Sequence, residues 1–461
     1  MPPVALTLHR SRFDPDRVRT LPRDGHLLVI DQVSGRWTTV DQRVEPLLPL
    51  VDQPPALLPA AVREPVARLR QLLLDQGIGV VGGEQRFSEL NTLILKLTNA
   101  CNHACAYCYD FEVFEKATTI DRAVAVAAIE QALEIAPAEL AVILHGGEPM
   151  LLWPLIEDLV VTGERLAAER GRRIRFVGQS NFSRLTDRVV EFSGAHDIAW
   201  GVSVDGPPPV HDLFRRDHRG RGTYDAFASA LARYPDFVRS AGVMSTITAA
   251  NQRLLLPLAR HFRDVGMTTW DWSLFQPIGR GRADAARFGL DPAVLAEAWE
   301  ELFGAVEGGE FPGFAVLPVK KYLDNFLAGP GGNMCLRGDC GAARDLLSVS
   351  SDGTVEACDC IDPTGPLAGL GTVAGGLADA RSSDVATTIR HRDLSASRCA
   401  DCLWLGVCGG TCLAHAPSLN EVWDSGCAVA LSAFDRISLS LVRGDGLLDW
   451  LRSLTAGCAH A

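Results

Sequence analysis

Cysteine is absent from the first hundred residues and again from 109 to 334. The thirteen cysteines of this 461-residue chain fall in three places: three between 101 and 108, nine between 335 and 427, and Cys458 alone near the end. Scattered core cysteines would not leave such gaps. Clustered thiols in a chain without a disulfide framework point to metal ligands or catalytic groups. Basic charge is scarce as well. With 44 Lys and Arg against 56 Asp and Glu, the net charge is −12, which leaves no basic face for nucleic acid. No run approaches eighteen uninterrupted apolar residues, so no membrane-spanning helix is expected. No early apolar segment carries the flanks of a signal peptide. The expectation is a cytoplasmic protein with neither a membrane nor nucleic acid as partner. Internal repeats and low-complexity tracts are lacking too. The chain is 47% hydrophobic, enough for two or three cores.

Three stretches of different character follow one another. In residues 1–88, "HLLVIDQVSGRWTTVD" reads as two strands around Ser34-Gly35, a hairpin signal. "VREPVARLRQLLLDQG" follows with Val66, Leu69, Leu72 and Leu73 at helical spacing and Gly77 as its stop, and "IGVVGG" is a candidate closing strand. A hairpin with helices in so short a stretch suggests a winged-helix-like domain. In residues 89–310, apolar runs at 92–98, 140–145, 174–179, 199–204, 243–248 and 269–275 alternate with helical patterns. Near-continuous apolar strands between helices indicate a parallel sheet covered on both faces. The fold class is therefore α/β, a partial barrel of six strand–helix units with reactive groups at the C-terminal ends of its strands. Residues 311–461 form the cysteine-rich remainder.

Just after the first core strand, "CNHACAYC" sets Cys101, Cys105 and Cys108 in a C-x3-C-x2-C array. Three thiolates hold three irons of a [4Fe–4S] cluster and leave the fourth open, whereas four close the site. A zinc site missing one ligand is the alternative. With Tyr107 before the last cysteine, the array resembles the signature of radical S-adenosylmethionine (SAM) enzymes. The resemblance implies SAM chelated on the open iron and a 5′-deoxyadenosyl radical from its reductive cleavage. A flavodoxin- or ferredoxin-type protein would supply the electron. Further segments resemble the family's SAM-contacting motifs in order. "HGGEP" supplies Gly146, Gly147 and Glu148 for the methionine amine. "GQSN" supplies Gln179 and Asn181 for the ribose, and "VSVDGPPPVHDLFR" supplies Ser203 and Arg215 for the carboxylate.

Nine cysteines lie between 335 and 427. Cys340, Gly353 and Cys358 form one spaced array, and Cys399, Cys402, Cys408 and Cys412 a second, followed by Cys427. This resembles the SPASM extension of radical SAM enzymes, with Cys335 in the place of its further upstream cysteine. By that resemblance Cys335, Cys340, Cys358 and Cys412 hold one [4Fe–4S] cluster, and Cys399, Cys402, Cys408 and Cys427 another. Three clusters are thus expected in all. Paired zinc-ribbon sites are the rival reading of the spacing. Cys360 and Cys458 match no position and are expected to be ordinary thiols.

SPASM enzymes modify peptides or proteins. The N-terminal stretch resembles the leader-peptide recognition elements of such enzymes, which bind a precursor peptide as an added strand. His145 in "HGGEP" resembles the variant of cyclophane-forming maturases, where sulfatase maturases carry glutamine. Asp359, directly after Cys358, matches the aspartate that sulfatase maturases use as a base. The implied function is cross-linking of a ribosomally made precursor peptide, by a carbon–carbon cyclophane or a thioether. Formylglycine formation on a sulfatase and a non-catalytic zinc-binding protein are the alternatives.

Overall fold

The computed structural model describes residues 13–81, 89–110, 117–329, 333–336 and 340–456. Cys458 and the end of "IGVVGG" lie outside them. The first unit is an antiparallel sheet in the order β1 (Val18–Arg23), β2 (His26–Asp31), β3 (Trp37–Asp41). β2 and β3 are the two strands expected around Ser34-Gly35. β1 was not anticipated, because "VRTLPR" carries a proline and no apolar alternation. β2 is apolar at consecutive positions because both its faces are covered. Leu27 and Val29 pack with Phe13, Val51, Leu69 and Leu73 in a small core. Leu28 and Ile30 point the other way, into the main core of the molecule. The expected helix runs Ala60–Asp75, and Gly77 follows it at φ +68°. Val66, Leu69 and Leu73 are buried. Leu72 is on the opposite side and 37% exposed, a correction to its assignment to the apolar face. In place of a closing strand, Val80 makes a single antiparallel bridge to Phe13.

The second sheet has ten strands. β4 (Thr92–Thr98), β5 (Glu139–Gly146), β6 (Arg173–Ser180), β7 (Ala199–Ser203), β8 (Gly242–Ile247) and β9 (Thr269–Leu274) are the six expected strands. They lie parallel and in sequence order. Helices such as Arg122–Ile135 and Trp153–Glu169 cover them, which explains why β4 is buried at every position but Lys96. The sheet extends beyond these six. β10 (Ala315–Val316) adds in parallel to β9. On the far edge β11 (Leu346–Val349) adds in parallel to β4, followed by antiparallel β12 (Thr354–Glu356) and β13 (Gly371–Thr372). The cysteine-rich stretch is therefore stitched to the first core strand, with Leu346 opposite Thr92. Helix Asp424–Arg443 is long and apolar enough to cross a membrane, but half of its apolar window is buried in the protein. It packs on helices Pro292–Glu307 and Leu317–Ala328, as a core helix does.

Candidate functional site

The loop after β4 carries Cys101, Cys105 and Cys108, and neighbouring main chain holds it from two sides. Ala104 N donates to Arg216 O at 2.6 Å, and Ala106 N to Phe214 O at 3.0 Å. On the other side Arg280 N donates to Cys108 O and the Arg280 guanidinium to Cys105 O, both at 2.9 Å. Gly279 sits at φ +56°, where a Cβ would fall 2.4 Å from Tyr109 O, so only glycine fits.

The residues expected to face SAM lie at the C-terminal ends of strands or in the segments that follow them. Gly146 closes β5 at φ +117°, and a Cβ there would lie 2.3 Å from Thr98 O. Gly147 N donates to Thr98 O at 2.7 Å, and Glu148 N to Ala100 O at 3.0 Å. This segment is thus locked to the cysteine loop. The Glu148 carboxylate is buried and accepts from Ser180 Oγ (2.7 Å), Asn181 N (2.9 Å) and Met150 N (3.0 Å). Burial outweighs these donors and raises its pKa. Gln179 donates to Ser203 Oγ at 2.8 Å, and Asn181 to Asn102 at 3.1 Å beside Cys101. Arg215 is buried and donates to the Tyr107 hydroxyl at 2.9 Å, with Asp205 at 3.8 Å. Tyr107 also donates to Asp205. Asp205 stands in "VSVDGP" between Ser203 and Arg215, where no spacing marked it as a site residue.

A second polar cluster joins the first cysteine loop to the cysteine-rich stretch. The Tyr109 hydroxyl donates to Asp359 Oδ2 at 3.1 Å and lies 3.4 Å from His145 Nε2. Lys96, on β4, donates to Asp110 Oδ1 at 2.6 Å and to Asp359 O at 3.3 Å. The Cys358 thiol lies 3.4 Å from Asp359 Oδ1. Burial would raise the Asp359 pKa, but His145 and Lys96 facing the carboxyl outweigh it and hold it below its ordinary value. Lys96, Tyr109 and Asp110 were not singled out in the sequence. They lie on and just after β4, about 250 positions from Asp359, so no spacing links them to it.

The later cysteines separate into two groups. Cys335, Cys340 and Cys358 crowd Cys412, whose thiol pKa is raised by burial and by these three neighbours. Cys399, Cys402, Cys408 and Cys427 line one cavity with Trp404 and Leu405. These are the two sets that the resemblance implied. Cys360 adds a fifth thiol to the first group: its ligand atom and those of Cys358 and Asp359 lie within 4.8 Å of one another. Cys412 leaves the group of its sequence neighbours through a left-handed turn, with Gly409, Gly410 and Thr411 at φ +67°, +77° and +66°. Arg392 pins that turn. Its guanidinium donates to Leu419 O (2.9 Å), Thr411 O (3.1 Å), Gly410 O (3.2 Å) and Glu421 O (2.6 Å). Asn325, fully buried, donates to Leu336 O at 2.6 Å and to Val407 O.

The Cys101 sulfur receives the His103 backbone N–H at 3.3 Å. Burial nonetheless pushes the Cys101 and Cys408 thiols up to about 12. Without a bound cation these two sulfurs would stay protonated. Bound to soft, polynuclear iron they would be thiolates, and grouped, mostly buried thiols fit iron–sulfur clusters.

A family description, the radical SAM superfamily, matches residues 95–249, which span every segment from the cysteine triplet to Arg215. The chain is 20% identical over 339 residues to a cysteine-type anaerobic sulfatase-maturating enzyme of Clostridium perfringens, covering 70% of this chain and 88% of that one. It is 30% identical over 144 residues to a serine-type anaerobic sulfatase-maturating enzyme of Bacteroides thetaiotaomicron, covering 29% and 34%. Among solved structures, native anSMEcpe with bound AdoMet and Cp18Cys peptide superposes with a TM-score of 0.66 at 18% identity, over 77% of this chain and 98% of that one. Streptococcus suis SuiB bound to precursor peptide SuiA does so with a TM-score of 0.54 at 13% identity, over 90% and 99%. The fold is the radical SAM α/β fold, with a cysteine-rich C-terminal region.

Proposed function

We propose that this chain, a radical SAM enzyme by its matched segment and fold, is a peptide maturase that installs an intramolecular cross-link in a ribosomally made precursor peptide. Residues 1–88 would bind the leader, 89–310 would carry the radical chemistry and 311–461 the auxiliary clusters. A [4Fe–4S] cluster on Cys101, Cys105 and Cys108 with SAM would supply a 5′-deoxyadenosyl radical, and clusters on the two later cysteine sets would supply an electron acceptor. Gly146 and Gly147 would let the main chain approach SAM closely. Asn181, Ser203 and Gln179 would offer it hydrogen bonds, and Glu148 and Arg215 opposite charges.

The observation that carries the reading is the position of Asp359. It lies beside Cys358 and is hydrogen-bonded to Tyr109 next to Cys108, so a base stands where both cysteine regions meet. His145 and Lys96 keep that carboxylate ionised, and because its pKa is lowered, proton uptake would rely on a strongly acidified radical partner. Tyr109 fixes which oxygen is presented. A carbon–carbon cyclophane is the favoured product, because His145 stands in the "HGGEP" position of cyclophane-forming enzymes. The leader would add to β3, which among the described residues pairs only with β2. Likeness to SuiB, solved bound to precursor peptide SuiA, supports this over 90% of the chain.

Sulfatase maturation is the second reading, favoured by the likeness in sequence to anaerobic sulfatase-maturating enzymes. Co-expression with a short precursor encoded beside the gene, followed by mass spectrometry, separates the two. Cross-linking removes two hydrogens per event, whereas sulfatase maturation yields an aldehyde that hydrazide reagents capture. An unmodified precursor together with an aldehyde on a sulfatase peptide would overturn the first reading. Anaerobic reconstitution should give about twelve irons per chain, four for each cluster. Zinc without iron would overturn both.

A further inference from the structure

The β2–β3 turn of the N-terminal unit is seated on the loop that carries Cys399 and Cys402. Gln32, 6% exposed, donates its side-chain amide to Ala400 O at 2.7 Å and to Cys402 O at 2.9 Å. An amide has two N–H bonds, and here each has one acceptor. Behind these bonds the backbones touch. A Cβ on Gly35 would lie 2.8 Å from the Gly406 carbonyl, and one on Gly406 would lie 2.4 Å from Gly35 N.

The turn is stiff. Asp31, wholly buried, accepts from Val33 N (2.9 Å), Ser34 N (2.8 Å) and Gly79 N (2.9 Å), and from the Arg17 guanidinium at 3.4 Å. A second link reaches the same place. Trp37 donates to Phe326 O at 2.6 Å, and Phe326 packs 6.0 Å from Trp404, which lines the cavity of Cys399, Cys402, Cys408 and Cys427.

We propose that the N-terminal unit is a structural part of the second auxiliary centre, with Gln32 as the positioning residue that holds the Cys399–Cys402 ligand loop. The inference rests on the reading that Cys399, Cys402, Cys408 and Cys427 hold an iron–sulfur cluster. The loop is short of regular structure, so its peptide planes need an outside anchor. Drawing the carbonyls of Ala400 and Cys402 toward Gln32 keeps their negative ends off the thiolates. Gln32 adds to the Leu405 N–H, which donates to the same Cys402 carbonyl at 3.2 Å. Losing Gln32 would leave the Ala400 carbonyl without its donor and the Cys402 carbonyl with Leu405 N alone, and free the loop to turn. The unit that would read the leader thus also sets how firmly this centre holds its metal and how its sulfurs are tuned.

The test uses full-length, anaerobically reconstituted protein and three variants. Gln32→Leu keeps the size and removes the donors. Gln32→Glu sets a carboxylate against two carbonyl oxygens. Gly406→Ala pushes the turn away from the other side, at a helical position where alanine is locally favourable. The readouts are iron loss to a chelator, the electron paramagnetic resonance of the reduced clusters, and circular dichroism. About four of about twelve irons should leave on the order of tenfold faster in Gln32→Leu and Gly406→Ala, and faster still in Gln32→Glu. One cluster's resonance should change, and the other irons should leave at the wild-type rate. Folded variants with wild-type iron loss and spectra would overturn the proposal, as would equal loss from all three clusters. Wild-type protein holding only about eight irons would instead overturn the cluster reading on which it rests.

Discussion

Around Cys101, Cys105 and Cys108 main chain is braced mostly by main chain, with the side chains of Arg280 and His218 adding to it, whereas around Cys399 to Cys412 the braces from elsewhere are side chains. The first loop leaves the end of β4 and meets the segments 214–216 and 279–281 through backbone bonds. The later loops have almost no strands or long helices of their own. Arg392, Asn325 and Gln32 reach into them from elsewhere and occupy their carbonyls. A parallel sheet positions a loop at its strand ends without further help. A cysteine-rich stretch lacks that frame and needs buried donors, because each unpaired carbonyl costs free energy. The regular region should therefore tolerate loss of one brace, and the irregular region should not.

The largest effect should come from removing the triplet itself. Replacing Cys101, Cys105 and Cys108 together by alanine should leave about eight irons and abolish SAM cleavage, measured as 5′-deoxyadenosine formation. Surviving cleavage would sink the assignment. Next comes the residue that joins the two regions. Asp359→Asn should keep the iron and still cleave SAM, while modified peptide falls by roughly 10²–10⁴-fold. Unchanged product would make Asp359 a spacer.

Arg392→Ala sharpens the comparison most directly. It strips four carbonyls of their donor and should lower stability by about 3 kcal/mol, with iron lost mainly from the auxiliary sets. Arg392→Lys, a point charge without the planar fork, should rescue only part of this. An equivalent effect on the triplet irons would show that the two regions are held alike.

The smallest effect is a pH dependence. His415 stacks on Trp423 with ring centroids 4.2 Å apart, and burial lowers its pKa to about 4. Its ordinary value is about 6.5. The folded chain therefore binds fewer protons than the unfolded one between these values. Stability should fall as pH drops from about 6.5 to about 4, and level off below. His415→Phe should flatten that slope in thermal melts, and an unchanged slope would assign it to other groups.

The chemistry-bearing spacings were readable in the chain because they are local. Six core strands announced themselves as apolar runs, since a parallel sheet buries both faces. The added strands β10 to β13 are two to four residues long and carry no periodicity, so nothing marked them. Leu72 fell at helical spacing with its neighbours yet faces outward, because the helix buries a narrower stripe than the pattern suggested.

The candidate ligands and Asp359 are matters of residue type and short spacing, and the chain alone determined them. Their surroundings were decided by tertiary structure. Asp359 meets Tyr109 across 250 positions and Lys96 across 263. Gln32 meets the Cys399–Cys402 loop across 368 and 370. No local propensity encodes such pairs. They exist because β11 lies against β4 and because β2 is buried on both faces, which brings distant polar groups together where they replace water for one another.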